Sequence, residues 1–242
     1  MRKAVLLTTY SLAKLLAQCG DRVSWTQSRE FLLCVLDDAI EALTDEATTL
    51  YLVAPGDPGL DGEVERLGRR RGLKLSYGGR AAGLTRPVLG RLWAQVSSSC
   101  EAVLALEAFP AVRPQEAVVR LQRASWLEGL FPGGGLYAVG RSRSACLPTA
   151  KLPTPPYPPT AAGFRQLVTD ALGRAGAPLG DRTLTYLRGG YGEALLEEFR
   201  DRAWRDLARE RSPRAYPAHD APRPSNVIWV DFARRRPLKV FT

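Results

Sequence analysis

Glu107 is the first ionisable side chain after the continuous apolar run "AVLAL" at residues 102–106. A short apolar run of this kind reads as a strand covered on both faces. Parallel sheets bind ligands beyond their strand ends, so Glu107 is expected where the strand leaves the core and a loop meets a crevice. An ordinary solvated loop carboxylate is the plainer reading. Asp231 closes a second apolar run, "NVIWV" at residues 226–230. His219, the single histidine, lies in the Pro-rich loop "AYPAHDAPRP", and one histidine is a poor basis for a catalytic triad or a multi-histidine metal site. Cys19, Cys34, Cys100 and Cys146 are scattered, with no Cys-x-x-Cys pair. They read as reduced, buried thiols rather than zinc ligands.

Alternating apolar runs and helical repeats must position these groups. Residues 3–8 form a first strand and 30–43 a helix, with a long loop between them; 49–54 is a second strand, followed by a helix over 60–71 and a strand over 73–77. A helix over 87–97, with Pro87 in its first turn, leads into the strand at 102–106. That alternation predicts an α/β fold with a mostly parallel sheet and helices on both faces. The glycines Gly133, Gly134 and Gly135 precede a strand at 136–139, the reverse of a phosphate loop, and read as a turn. Residues 152–159, "LPTPPYPP", hold five prolines and predict an extended connector without regular structure. Helices near 162–175 and 193–211 follow, with glycines 189, 190 and 192 as a turn at the site rim and Trp204 buried. This divides the chain into a core at 1–150, a connector at 151–160 and a completing segment at 161–242.

With 242 residues and 45% apolar content the chain can bury a full core. No run of about 18 uncharged apolar residues exists and the start "MRKAVLL" is a poor leader, so a soluble, cytoplasmic protein is expected. A formal charge of +9 suits phosphate-bearing partners. Yet the dense basic runs at 69–71 and 234–236 lack interleaved aromatics, which argues against nucleic acid and for solvated arginine faces.

Several strings resemble the cytidylyltransferase-like family, which includes the acylneuraminate and KDO cytidylyltransferases and the spore-coat-polysaccharide type. They are "EFLLCVLDDAIEALTDEATTLYLVAPGDPGLDGEVERLGRRRGLKLSYGG", "RPVLGRLWAQVSSSCEAVLAL" and "RGGYGEALLEEFRDRAW". The resemblance implies a Rossmann-like three-layer sandwich with a mostly parallel mixed sheet, as in nucleotide-diphospho-sugar transferases, and transfer of a nucleotidyl group from CTP to a sugar-type acceptor in polysaccharide biosynthesis. It also implies Mg²⁺ held by Glu107 and Asp231, phosphates met by Lys14 and Arg22, and substrate met by Arg80, Arg188 and Glu193. The chain departs from the family pattern in four places, one being the acidic residues after Asp231, which are Ala233, Arg234 and Arg235 here. The loop after the first strand lacks the R-x-x-S-x-R-L-P-x-K string; the Gly-Asp of the central strand falls on Glu107-Ala108; and the Asp of R-G-L-D-V-E is Tyr191, while its Glu is Glu193. The expected partner is a nucleotide or nucleotide-sugar, with a homodimer left open and no membrane. A non-catalytic binding or scaffolding relative, a pseudoenzyme, is the main alternative, and a basic nucleic-acid-binding protein a further one.

Overall fold

The computed structural model describes residues 2–19, 23–44, 48–53, 55–76, 94, 100–143, 146–173, 177–211, 230–231 and 236–237. The chain divides into two units, residues 1–203 and 204–242. The first holds a seven-stranded sheet. Its strands are β1 (Lys3–Thr9), β2 (Thr48–Val53), β3 (Lys74–Ser76), β4 (Ala102–Ala108), β5 (Trp126–Leu130), β6 (Leu136–Ser142) and β7 (Ala150–Lys151). The spatial order is β3-β2-β1-β4-β6-β5-β7. All pairings are parallel except the two made by β6, so β6 alone runs against the rest.

Continuous apolar sequence makes β1 and β4 the middle of the sheet. Ala4 to Leu7 and every residue of β4 are buried, as a strand covered on both faces requires. The two pair in register from Lys3 with Ala102 to Thr9 with Ala108. Side chains alternate between two apolar clusters. Val5, Leu7, Leu104, Leu106 and Ala108 join the larger one, together with the apolar faces of the described helices. Ala4, Leu6, Val103 and Ala105 join a smaller cluster on the opposite face with Val53 and Val139.

The helices are α1 (Leu12–Cys19), α2 (Trp25–Leu43), α3 (Pro58–Arg70), α4 (Pro114–Leu121), α5 (Ala161–Leu172), α6 (Asp181–Tyr186) and α7 (Gly192–Arg211). Local chemistry fixes several starts. Ser24 and Gln27 form a reciprocal capping box at α2, Asp57 caps α3 ahead of Pro58, and Thr160 caps α5. Helix α6 has no cap from its own stretch of chain: Gly180 precedes it, and the carboxylate of Asp38 on α2 accepts from the backbone N–H groups of Arg182 (3.1 Å) and Thr183 (2.9 Å) and from the Thr183 hydroxyl (2.6 Å). A Cβ at Gly180 would lie 2.3 Å from that carboxylate, so only glycine lets the two helices meet.

Several expectations change. The segment after β1 is not a long loop: Leu12, Leu15 and Cys19 repeat at helical spacing and are buried as α1. The fourth strand runs on through Glu107 to Ala108. Strand β5 is present where none was expected, and the triple glycine closes the β5–β6 hairpin, with Gly133 and Gly134 at φ 97° and 95°. Residues 187–191 are not a free turn but a π-type turn joining α6 to α7, kinked at Gly190 (φ 109°). The proline-rich stretch has no helix or strand from 152 to 160, yet it packs closely: Leu152 and Tyr157 are buried, Tyr137 donates to the Pro153 carbonyl (2.7 Å) and Tyr157 to Asp170 (2.9 Å). Cys146 is exposed rather than buried, and Trp204 is 64% exposed. Of the expected helix at 87–97, only Ala94 is described, and it is helical; the rest lies outside the described residues. Among the described residues no helix is long and apolar enough to cross a membrane.

Candidate functional site

The strand order dictates where a ligand would sit. From β1 the chain moves outward to β2 and β3, then returns to place β4 on the other side of β1. Connections therefore diverge between β1 and β4, and the crevice beyond the carboxyl ends of such a pair is the usual ligand position in open α/β sheets. Those ends are Thr8-Thr9-Tyr10 and Glu107-Ala108-Phe109.

On the helix-covered side the position is filled. Tyr10 meets Phe109 edge-on (centroids 5.3 Å) and Phe164 (6.2 Å), and Phe109 meets Phe131 (5.0 Å) and Phe164 (5.5 Å). This aromatic plug fills the helix side between the two strand ends, and the opposite face carries polar side chains from both. Glu107 is there, paired across the ladder with Thr8, and both are buried, at 4% and 6% exposure. Burial, and after it the neighbouring Glu107 carboxylate, push the Tyr10 phenol up to about 12. The hydroxyl of Thr9, buried at the end of β1, has no hydrogen-bond partner among the described residues.

Glu107 is therefore a buried strand residue and not, as expected, the first residue of a solvated loop. Alternation places Ala108 on the other face, in the large apolar cluster. Of the Glu107-Ala108 pair, only Glu107 stands on the face clear of the plug.

The remaining candidates are dispersed. Lys14 is exposed on α1, immediately after β1. The Arg188 Nε donates to the Ala171 carbonyl at 3.0 Å, closing the last turn of α5. Glu193 is exposed in the first turn of α7. Asp231 belongs to the second unit, where β8 (Val230–Asp231) pairs antiparallel with β9 (Arg236–Pro237) and Asp231 faces Arg236 in register. Arg22 and Arg80 lie outside the described residues. Among the described residues no three His, Cys, Asp or Glu side chains converge as a metal cluster.

Sequence reasoning missed the polar groups joining α2 to α6. Arg182 reaches Asp37 (3.0 Å), Asp38 (3.5 Å) and Glu41, while Arg71 on the far side reaches Asp37 (2.7 Å). An open cavity of about 1130 Å³ adjoins this network, walled by Cys34, Glu41, Tyr186, Gly189 and Gly190 among others. The run "CVLDDAIEAL" carries the acidic residues at helical spacing, but Asp38 and Arg182 stand 144 residues apart in sequence.

No protein-family model and no curated protein sequence matches this chain. Among solved structures it is similar to a protein described as a nucleotide-diphospho-sugar transferase from Desulfovibrio desulfuricans, with a TM-score of 0.58 and 16% identity, over 82% of this chain and 99% of that one. It also matches a mannose-1-phosphate geranyltransferase from Thermus thermophilus at a TM-score of 0.38 and 11% identity, over 83% of this chain and 68% of that one, too distant to carry an argument. The chain has the α/β fold with a mixed, mostly parallel sheet that the first of these proteins shares.

Proposed function

We propose that this protein binds a nucleotide or nucleotide-sugar in the crevice beyond β1 and β4 and transfers a nucleotidyl or glycosyl group, CTP being the first donor to test. The observation that carries this reading is the buried Glu107 beside Thr8, at the divergence of the sheet and on the face clear of the aromatic plug. The fold shared with a protein described as a nucleotide-diphospho-sugar transferase supports the ligand class, and the net charge of +9 favours phosphates.

In this reading Glu107 is a ligand of Mg²⁺. That cation takes few protein carboxylates and completes its shell with water and substrate phosphate, so Glu107 fits as one ligand. When bound, the ion would neutralise triphosphate charge. Lys14 and Arg22 meet phosphates; Arg80, Arg188 and Glu193 border the acceptor, a sugar in a polysaccharide pathway.

The test is a thermal-shift panel of CTP, other nucleotides and nucleotide-sugars, with and without Mg²⁺. Saturation at about 100 times Kd is worth about 2.7 kcal/mol, or roughly 5 to 10 °C for a chain of this size. Glu107→Ala should remove the Mg²⁺-dependent part while leaving a cooperative unfolding transition. If this variant keeps the full shift, Glu107 does not hold the ion. A second reading, a binding or scaffolding relative without catalysis, draws on the aromatic plug and on Ala108 in place of an acid. A nucleotide shift that is independent of Mg²⁺ and of Glu107 would favour it.

A further inference from the structure

A second cavity, of about 450 Å³, opens on the helix side of the end of β4, between α2 and the first turn of α4, with residues 178–180 along its rim. Its volume falls within the range of small-molecule sites. Much of the wall is apolar, including Val35, Ala39, Ala42, Val112 and Leu179. The loop that shapes it holds Ala111 at φ 66°, a left-handed conformation costly for a residue with a Cβ.

Three charged side chains line this cavity among the described residues: Asp38, Glu116 and Arg113. The first two are spent inside the fold. Asp38 caps α6, and Glu116 accepts from both Nε (3.0 Å) and Nη2 (2.7 Å) of Arg120. The Arg113 guanidinium makes no hydrogen bond or ion pair among the described residues, and Arg113 also lines a cavity of about 430 Å³ walled by Val112, Tyr137 and Leu152. Two largely apolar spaces that share lining residues thus share one uncompensated charge, and it is a cation.

We infer that this cavity is a binding site for a small amphipathic anion, with Arg113 meeting its phosphate or carboxylate and the α2–α4 cleft taking its apolar body. A guanidinium presents paired donors suited to either group, and Gln115, exposed on the same rim, offers a neutral amide beside it. The site lies on the plugged side of the sheet, opposite Glu107, and does not depend on the nucleotide reading.

Calorimetric titration of the full chain with hexyl phosphate, hexanol and inorganic phosphate tests this. The expected result is one saturable site for hexyl phosphate, with the alcohol and the free ion each at least about tenfold weaker, because each lacks one of the two contributions. Arg113→Gln should weaken hexyl phosphate roughly 10- to 100-fold, the worth of a hydrogen bond to a charged group. Arg123→Gln, an exposed arginine away from the cavity, should change nothing, and neither should Glu107→Ala. The inference is overturned if hexyl phosphate binds no better than hexanol or phosphate, if Arg113→Gln keeps wild-type affinity, or if Arg123→Gln or Glu107→Ala lowers it equally. Because Arg113 is exposed, its replacement leaves the core intact, and circular dichroism of the variant checks that.

Discussion

Replacing Asp38 by Ala removes a helix cap supplied from another helix, and its cost can be worked out contact by contact. The carboxylate is 12% exposed and accepts from two backbone N–H groups at the start of α6 and from the Thr183 hydroxyl. Loss of an N-cap acceptor costs about 1 kcal/mol. Thr183 is buried at 2% exposure, so its N–H and hydroxyl would both lose their acceptor without gaining water, at about 1 to 3 kcal/mol for the pair. The ion pair with Arg182 adds little, about 0 to 1 kcal/mol, because the guanidinium is 40% exposed and keeps Asp37 and Glu41. Asp38→Ala should therefore destabilise the protein by about 3 to 4 kcal/mol in urea unfolding. Asp38→Asn retains shape and one carbonyl acceptor, and should cost about half as much. Arg182→Ala should cost about 1 kcal/mol or less. An Asp38→Ala loss below about 1 kcal/mol, or one equal to that of Arg182→Ala, would refute the capping argument and reduce Asp38 to a surface ion-pair partner.

Gly129→Ala should destabilise by about 1 to 3 kcal/mol, because the new Cβ would lie 2.5 Å from the ring of Tyr137, which its bond to Pro153 holds in place; near-ultraviolet dichroism should report the displaced ring. Gly189→Ala, with nothing within 4 Å, should instead be neutral or stabilising by up to about 1 kcal/mol in the same assay. Among the thiols, Cys146 should react with a disulfide reagent at about pH 8 in the folded protein, whereas Cys19 and Cys34, pushed by burial to about 12 and about 11, should react only on unfolding. Since both folded-state values are raised, the two thiols support folding fully below about pH 8.5, the free-thiol value, and that support is lost as pH climbs toward 11 and 12. Unfolding midpoints should fall across that window, and less steeply in Cys19→Ala.

The middle of the sheet was legible because β1, β2 and β4 are short continuous apolar runs, and burial on both faces requires such runs. What escaped had weaker periodicity. Helix α1 is only eight residues long and its register shows in Leu12, Leu15 and Cys19 alone. Strand β5, "WLEGL", alternates, but it exposes Trp126 and Leu130 and buries Leu127 and Gly129, so its pattern puts large apolar residues on the open side. Glu107 was placed one step too far out because an ionisable residue normally marks the end of a buried run; here the ladder with Thr8 carries it inward. Sequence shows the charge of Arg188 but not its partner within the fold, the Ala171 carbonyl 17 residues upstream. Asp38 was an unremarked helix residue for the same reason.

The pairing of β1 with β4 covers one long edge of β1. Lys3 lies beside Ala102, and β2 and β3, which come between them in sequence, lie on the other flank of β1. While only that flank exists, β1 is an edge whose buried residues, Ala4 to Leu7, have no neighbour on one side, and an apolar edge of this kind invites pairing with other chains. The carboxyl-terminal flank of β6, β5 and β7 hangs from β4 in turn. Glu107 is carried into the interior by the same strand that seals that edge, so the candidate site and the protection of the sheet come into being in a single step.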